Sequence, residues 1–84
     1  MFFMKIEITT HNEILIDPIV ELEKTIDNPK NKTFQPVIIL IDKDNSLRRF
    51  GQFLPEQPYI NGTWIDEDVE NAINQYLNEI QIID

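Results

Sequence analysis

Pro36-Val37-Ile38-Ile39-Leu40-Ile41 places five aliphatic residues in a row behind a proline. A strand with one face in water alternates apolar and polar residues, whereas this run has no polar position at all. Its length suits a strand and falls far short of the roughly 20 residues that cross a bilayer. The stretch therefore reads as the central strand of a sheet, covered on both sides, and the rest of the chain must supply the cover.

On its C-terminal side, Asp42-Lys43-Asp44-Asn45-Ser46 is a cluster of turn formers, and Leu47 to Phe53 is expected to return antiparallel to the central strand. On the N-terminal side, Met4-Lys5-Ile6-Glu7-Ile8-Thr9 alternates strictly, with Met4, Ile6 and Ile8 on one face. Thr10-His11-Asn12-Glu13 reads as a turn, since Asn tolerates the left-handed region, and Ile14-Leu15-Ile16 as a second short strand. Asp17-Pro18 resembles a helix start, with a carboxylate to cap free N–H groups and a proline in the first turn. Ile19, Leu22 and Ile26 follow at helical spacing until Asp27-Asn28-Pro29, so the pattern predicts a helix over 17–26. Lys30 to Thr33 reads as a polar loop.

Leu54 to Pro58 reads as an irregular link, and Tyr59-Ile60-Asn61-Gly62-Thr63-Trp64 carries the Asn-Gly signature of a tight hairpin. The same residues can also serve as a loop running directly into the last element. That element is a helix: Val69, Ala72, Ile73, Tyr76, Leu77 and Ile80 form one apolar stripe, which Ile83 would extend. Asp66 or Thr63 is placed to cap it, and Glu67, Asp68 and Glu70 sit where the helix dipole favours negative charge. The expected architecture is a single small α+β domain over residues 1–84. It is a small antiparallel sheet of about four strands with two helices packed on one face.

Composition narrows the chemistry. The 84 residues contain no cysteine, which excludes disulfides, thiolate metal sites and cysteine nucleophiles. No signal-peptide core precedes Lys5 and Glu7 and no membrane span is present, so the expected location is cytoplasmic. The abundance of Ile and Asn points to an AT-rich coding sequence, as in low-GC bacteria and their mobile elements. The net charge is −8 and is very unevenly placed. Residues 1–49 carry 8 acids and 7 bases, whereas residues 50–84 carry 7 acids and no base.

Candidate chemical motifs fare poorly. Asp42-Lys43-Asp44 after a hydrophobic strand invites a Mg²⁺ or aspartyl-phosphate reading, but no further acid or Lys constellation supports it. As a calcium loop it would place Leu47 where Gly is required and Phe53 where a bidentate Glu is required. A turn explains it better. His11, the single histidine, lies in a turn beside Asn12 and Glu13. Ser46 and Thr63 lack nucleophile context, and Gly51 and Gly62 cannot build a phosphate loop. Arg48-Arg49-Phe50 is the one basic spot, and against a charge of −8 it makes a poor nucleic-acid footprint. These arginines are expected to pair with local acids such as Asp42 or Asp44, or to cover apolar surface with their stems. Phe50 and Phe53 are expected in the core.

The remaining signal is the one-signed final third. Complementary potential accelerates encounter and orients partners, and acidic side chains can stand in for phosphates on a basic surface. The sequence thus points to a non-enzymatic module, without cofactor or metal, that binds a basic site on another protein. Were that site a nucleic-acid-binding one, the module would be an inhibitor. The candidate partner-binding residues are Glu56, Tyr59, Trp64, Asp66, Glu67, Asp68, Glu70, Asn74 and Glu79. No direct nucleic-acid or membrane contact is expected. The alternative is a small self-associating domain that forms a homodimer through a flat sheet or an exposed helix stripe.

Overall fold

The computed structural model of the chain describes residues 4–8 and 11–82. The predicted strand through Thr9, the turn through Thr10 and the extension of the last helix through Ile83 fall partly outside them. Two short strands, β1 (Lys5–Ile8) and β2 (Glu13–Ile16), form an antiparallel pair. Asn12, at φ 53°, supplies the left-handed residue just before β2, as its side chain allows. Three longer strands follow, β3 (Ile19–Asn28), β4 (Thr33–Asp42) and β5 (Asn45–Phe53), in spatial order β3-β4-β5 and all antiparallel. A two-residue strand β6 (Gln57–Pro58) pairs with the start of β4, and helix α1 (Asp66–Ile80) closes the chain.

The apolar run is the central strand, as its lack of alternation predicts. Ile38 and Leu40 point to one face and join Ile6, Ile8, Leu15, Leu54 and Leu77 in the main core. A second cluster of Phe34, Val69 and Ala72 lies under the N-terminal half of α1, with Tyr59, Trp64 and Ile73 packed against it. Helix α1 and the β1–β2 pair therefore share one face of the β3-β4-β5 sheet. They are tied together where Ile6 bridges Gln81 and the Ile82 N–H donates to the Lys5 carbonyl at 2.7 Å.

The predicted helix over 17–26 is a strand. Asp17 does not cap a helix: it adopts φ 47°, and its carboxylate accepts from the Met4 N–H at 2.7 Å while its own N–H donates to the Met4 carbonyl. It thereby closes the open end of the β1–β2 pair and turns the chain into β3. The helical spacing has a specific cause. The register slips by one residue between Leu22 and Lys24, leaving Glu23 unpaired as a bulge. An odd spacing of seven, which would put Ile19 and Ile26 on opposite faces of a regular strand, becomes an even one across the bulge. Seven residues are also two helical turns, so the two periods cannot be separated by position alone. The β-branched Ile19, Val20, Thr25 and Ile26 favour the strand, and nine residues paired along β4 decide it.

Among the described residues the fold has one helix, not two, and six strands in two sheets, not about four in one. The cover expected from a second helix comes from the β1–β2 pair. No hairpin forms at Tyr59 to Trp64; the chain bends there and enters α1, with Gly62 at φ 78°. The N-cap is Ile65, neither Thr63 nor Asp66, and Asp68 reaches back to accept the Ile65 N–H at 3.1 Å. This is the reciprocal half of a capping box, available because Asp68 stands at the third helical position. The helix stripe itself is as predicted: Val69, Ala72 and Leu77 are buried, and Ile73, Tyr76 and Ile80 are half-buried. Among the described residues, no helix is long and apolar enough to cross a membrane.

Candidate functional site

The acidic residues of α1 do not act as a single block. Burying the stripe of Val69, Ala72 and Leu77 rotates Asp66, Glu67, Glu70, Asn74 and Glu79 into solvent. Asp66, Glu70 and Asn74 fall on the flank facing β3. With Leu22, Val69 and Ile73 they line an open groove of about 250 Å³ between helix and sheet. Its floor is aliphatic and its helix rim carries two carboxylates. Glu67 is exposed beside it, and Glu79 lies near the other end of the helix, where it accepts from the Gln75 side chain at 3.3 Å.

Asp68 is turned to the opposite flank. It is half-buried, committed to the Ile65 N–H, and borders a smaller groove with Phe34, Gln57, Pro58, Ile60, Asn71, Ala72 and Gln75. Glu56 is farther away along the chain, in the link between β5 and β6, where it accepts from the Thr33 hydroxyl at 3.2 Å. Of the nine sequence candidates, then, Asp66, Glu70 and Asn74 are brought together around one concavity.

Tyr59 and Trp64 are neither an opposed hairpin pair nor freely exposed. The Tyr59 hydroxyl and the Trp64 indole N–H, the latter at 3.1 Å, both donate to one oxygen of Asp27 at the end of β3. Their rings pack against Phe34 and its neighbours, with Trp64 and Phe34 centroids 6.2 Å apart. The hydrogen bond to the carboxylate favours the neutral phenol, and with lesser contributions from desolvation and the Asp27 charge pushes Tyr59 up to about 12. Tyr76 is also raised, by burial alone. Tyr59 and Trp64 thus fix the loop that leads into α1, and so help set the position of the helix over the sheet.

Two residues of this region were missed by sequence reasoning. Leu22 floors the groove although it is half exposed, and it went unnoticed because it was assigned to a helix core. Asp27 anchors both aromatic rings, but it read as part of a helix stop. A bulge-tolerant strand pattern over 19–28 would have exposed both.

The basic spot is consumed structurally. Arg48 bridges Asp42 and, at 2.5 Å, Glu13, joining β5 to the β1–β2 pair, while Arg49 lies 3.6 Å from Glu21. Asp42 accepts the Asp44 N–H at 2.9 Å, and this bond, aided by Arg48 against some desolvation, holds its carboxyl below the usual range. The His11 ring sits edge-on to Phe50 at 5.1 Å. Phe50 packs against the core as expected, but Phe53 does not: it is 64% exposed. Alternation along β5 puts the two phenylalanines on opposite faces, and helix and hairpin cover only one. Among the described residues, no group of three or more His, Cys, Asp or Glu side chains is arranged to hold a metal ion.

Comparison with protein-family models, with curated proteins and with solved structures finds no match for this chain.

Proposed function

We propose that the protein is a non-enzymatic binding module that presents the acidic flank of α1 to a basic surface on a partner protein. The observation that carries this reading is the groove between α1 and β3. An aliphatic floor of Leu22, Val69 and Ile73 lies directly under the carboxylates of Asp66 and Glu70. Such a site accepts an apolar side chain flanked by Lys or Arg: the floor takes the apolar body, and the rim complements the charge. The absence of any base from residues 50–84 leaves the rim charge uncompensated within its own segment. Where the partner's basic surface is one that binds nucleic acid, the module would compete for it and act as an inhibitor. Glu67 and Glu79 extend the field along the helix. Glu56 and Asp68 contribute to the same negative potential from outside the groove.

The test is titration of the isotopically labelled protein with a cationic peptide of alternating Lys and Leu, at low and at high salt. Amide shifts concentrated at Asp66, Glu70 and Asn74, with movement of the Leu22 methyl groups and loss of binding at high salt, are the expected result. Replacing Asp66 and Glu70 together by Lys should abolish them. Salt-insensitive binding, or shifts unaltered in the double variant, would refute the proposal.

A further inference from the structure

The sheet has a second face, and none of the described elements packs on it. Alternation and the strand register put Ile19, Glu21, Lys24 and Ile26 of β3 on this face. Val37, Ile39 and Ile41 of β4 and Leu47, Arg49, Gly51 and Phe53 of β5 join them. Val37 and Ile41 are buried, but Ile19, Ile26, Leu47 and Phe53 are among the described residues' exposed large apolar side chains. At its centre Gly51 lies opposite Ile39, and a side chain there would meet open space. The helix stripe, by contrast, is buried under α1. Of the flat sheet and the helix stripe expected as self-association surfaces, the sheet face is the one that the described residues leave exposed.

Charge selects the occupant. The chain carries −8, of which −7 falls in residues 50–84, so two copies repel each other most strongly through the segment that includes α1. This face carries little of that charge: the charged residues that the strand register and alternation place on it are Glu21, Lys24 and Arg49, with Glu21 and Arg49 paired across the strands. A face containing both signs and a near-zero sum is self-complementary under a two-fold axis. Area agrees with a modest association. Three strands of 9 to 10 residues offer a footprint of roughly 30 by 14 Å. Two such faces stacked at about 10 Å cover roughly 840 Å² in total, less than the ~1,200 Å² of a stable specific interface, which makes the assembly weak and concentration-dependent.

We infer that the face of the β3-β4-β5 sheet turned away from α1 is a self-association surface, on which a second copy of this chain docks face to face. The two α1 helices then lie on the outer sides of the sandwich. The inference is independent of any binding role for α1, since the two surfaces lie on opposite sides of the sheet.

Sedimentation equilibrium from about 1 to about 500 µM reads it directly, that range bracketing the affinities of small interfaces. The weight-average mass should rise to twice that of the monomer. Phe53→Lys and, separately, Ile19→Lys should weaken association at least tenfold while leaving far-ultraviolet circular dichroism unchanged. Both side chains are already largely solvated, at 64% and 49% exposure, so the fold tolerates the substitutions. Ile60→Lys, at a 70% exposed site beside α1, should associate like the parent. A monomer throughout the range would overturn the inference. So would a dimer that survives both sheet-face variants, or one that Ile60→Lys disrupts equally.

Discussion

Asp27 is one carboxylate with two aromatic donors, and it decides how the loop before α1 is held. Tyr59 and Trp64 both spend their polar atoms on it, which leaves their rings free to pack on Phe34. Because Tyr59 is raised to about 12, its neutral form is preferred in the folded chain. The sign follows: the stabilisation is complete below the unfolded value near 10 and is lost as pH climbs from about 10 to about 12. Tyrosinate absorbance should therefore show a transition near 12 that disappears in Tyr59→Phe, and Asp27→Asn should shift it downward. Urea midpoints of the parent should fall over that interval more steeply than those of Tyr59→Phe. Asp42 works in the opposite sense. Its carboxyl is depressed, first by the Asp44 N–H and then by Arg48, so its contribution is present above about 4 and fades as pH falls through the lowered value. Asp42→Asn should flatten that part of the acid-unfolding limb, measured by circular dichroism against pH.

At the level of elements, the sequence was most informative where one period had no competitor. The stripe from Val69 to Ile80 and the unbroken run Val37 to Ile41 each admit one element, and each is found. The stretch from Ile19 to Ile26 admits two, because a one-residue bulge at Glu23 brings the strand pattern into coincidence with two helical turns. The long-range pairing with β4 decides between them, because the local preference of the β-branched residues for a strand is weak. The same failure hid the groove, since its floor residue Leu22 was placed on the wrong element. Its rim was legible, because the helix phase alone rotates Asp66, Glu70 and Asn74 to one flank. Gly62 shows a further limit. Asn-Gly signals a positive φ correctly, at 78°, but the chain uses it in a bend before α1 and not in a hairpin. A Cβ at this position meets no neighbour, so the cost of Gly62→Ala is conformational only, about 1 kcal/mol. Chemical denaturation should show that loss with an unchanged denaturant slope, since the surface exposed on unfolding is the same.

For the whole molecule, shape and charge share one asymmetry. The radius of gyration is 13.8 Å, against about 12 Å for a compact chain of this length. The molecule is elongated, with principal extents of 39 × 25 × 20 Å, and its sheet is covered by one helix and one short strand pair. That cover occupies a single face of the sheet, and α1, within it, carries the uncompensated acids. At the first turn of α1 the charge also serves stability, since Asp66, Glu67 and Asp68 meet the positive end of the dipole. At the last turn it does not: Glu79 faces the negative end, and no base is present there. A helix selected only for stability would carry the opposite sign at this position. Glu79→Lys should therefore stabilise the fold by roughly 0.3–1 kcal/mol, with Glu67→Lys shifting stability by a similar amount in the other direction. Both effects should shrink as salt is raised to about 1 M, where the Debye length falls to about 3 Å. Paired urea titrations at low and high salt measure this. Stabilisation by Glu79→Lys would show that the acid at the C-terminal turn costs stability, which is compatible with the proposed surface for a basic partner. Destabilisation would assign Glu79 instead to holding the helix, through its bond to Gln75.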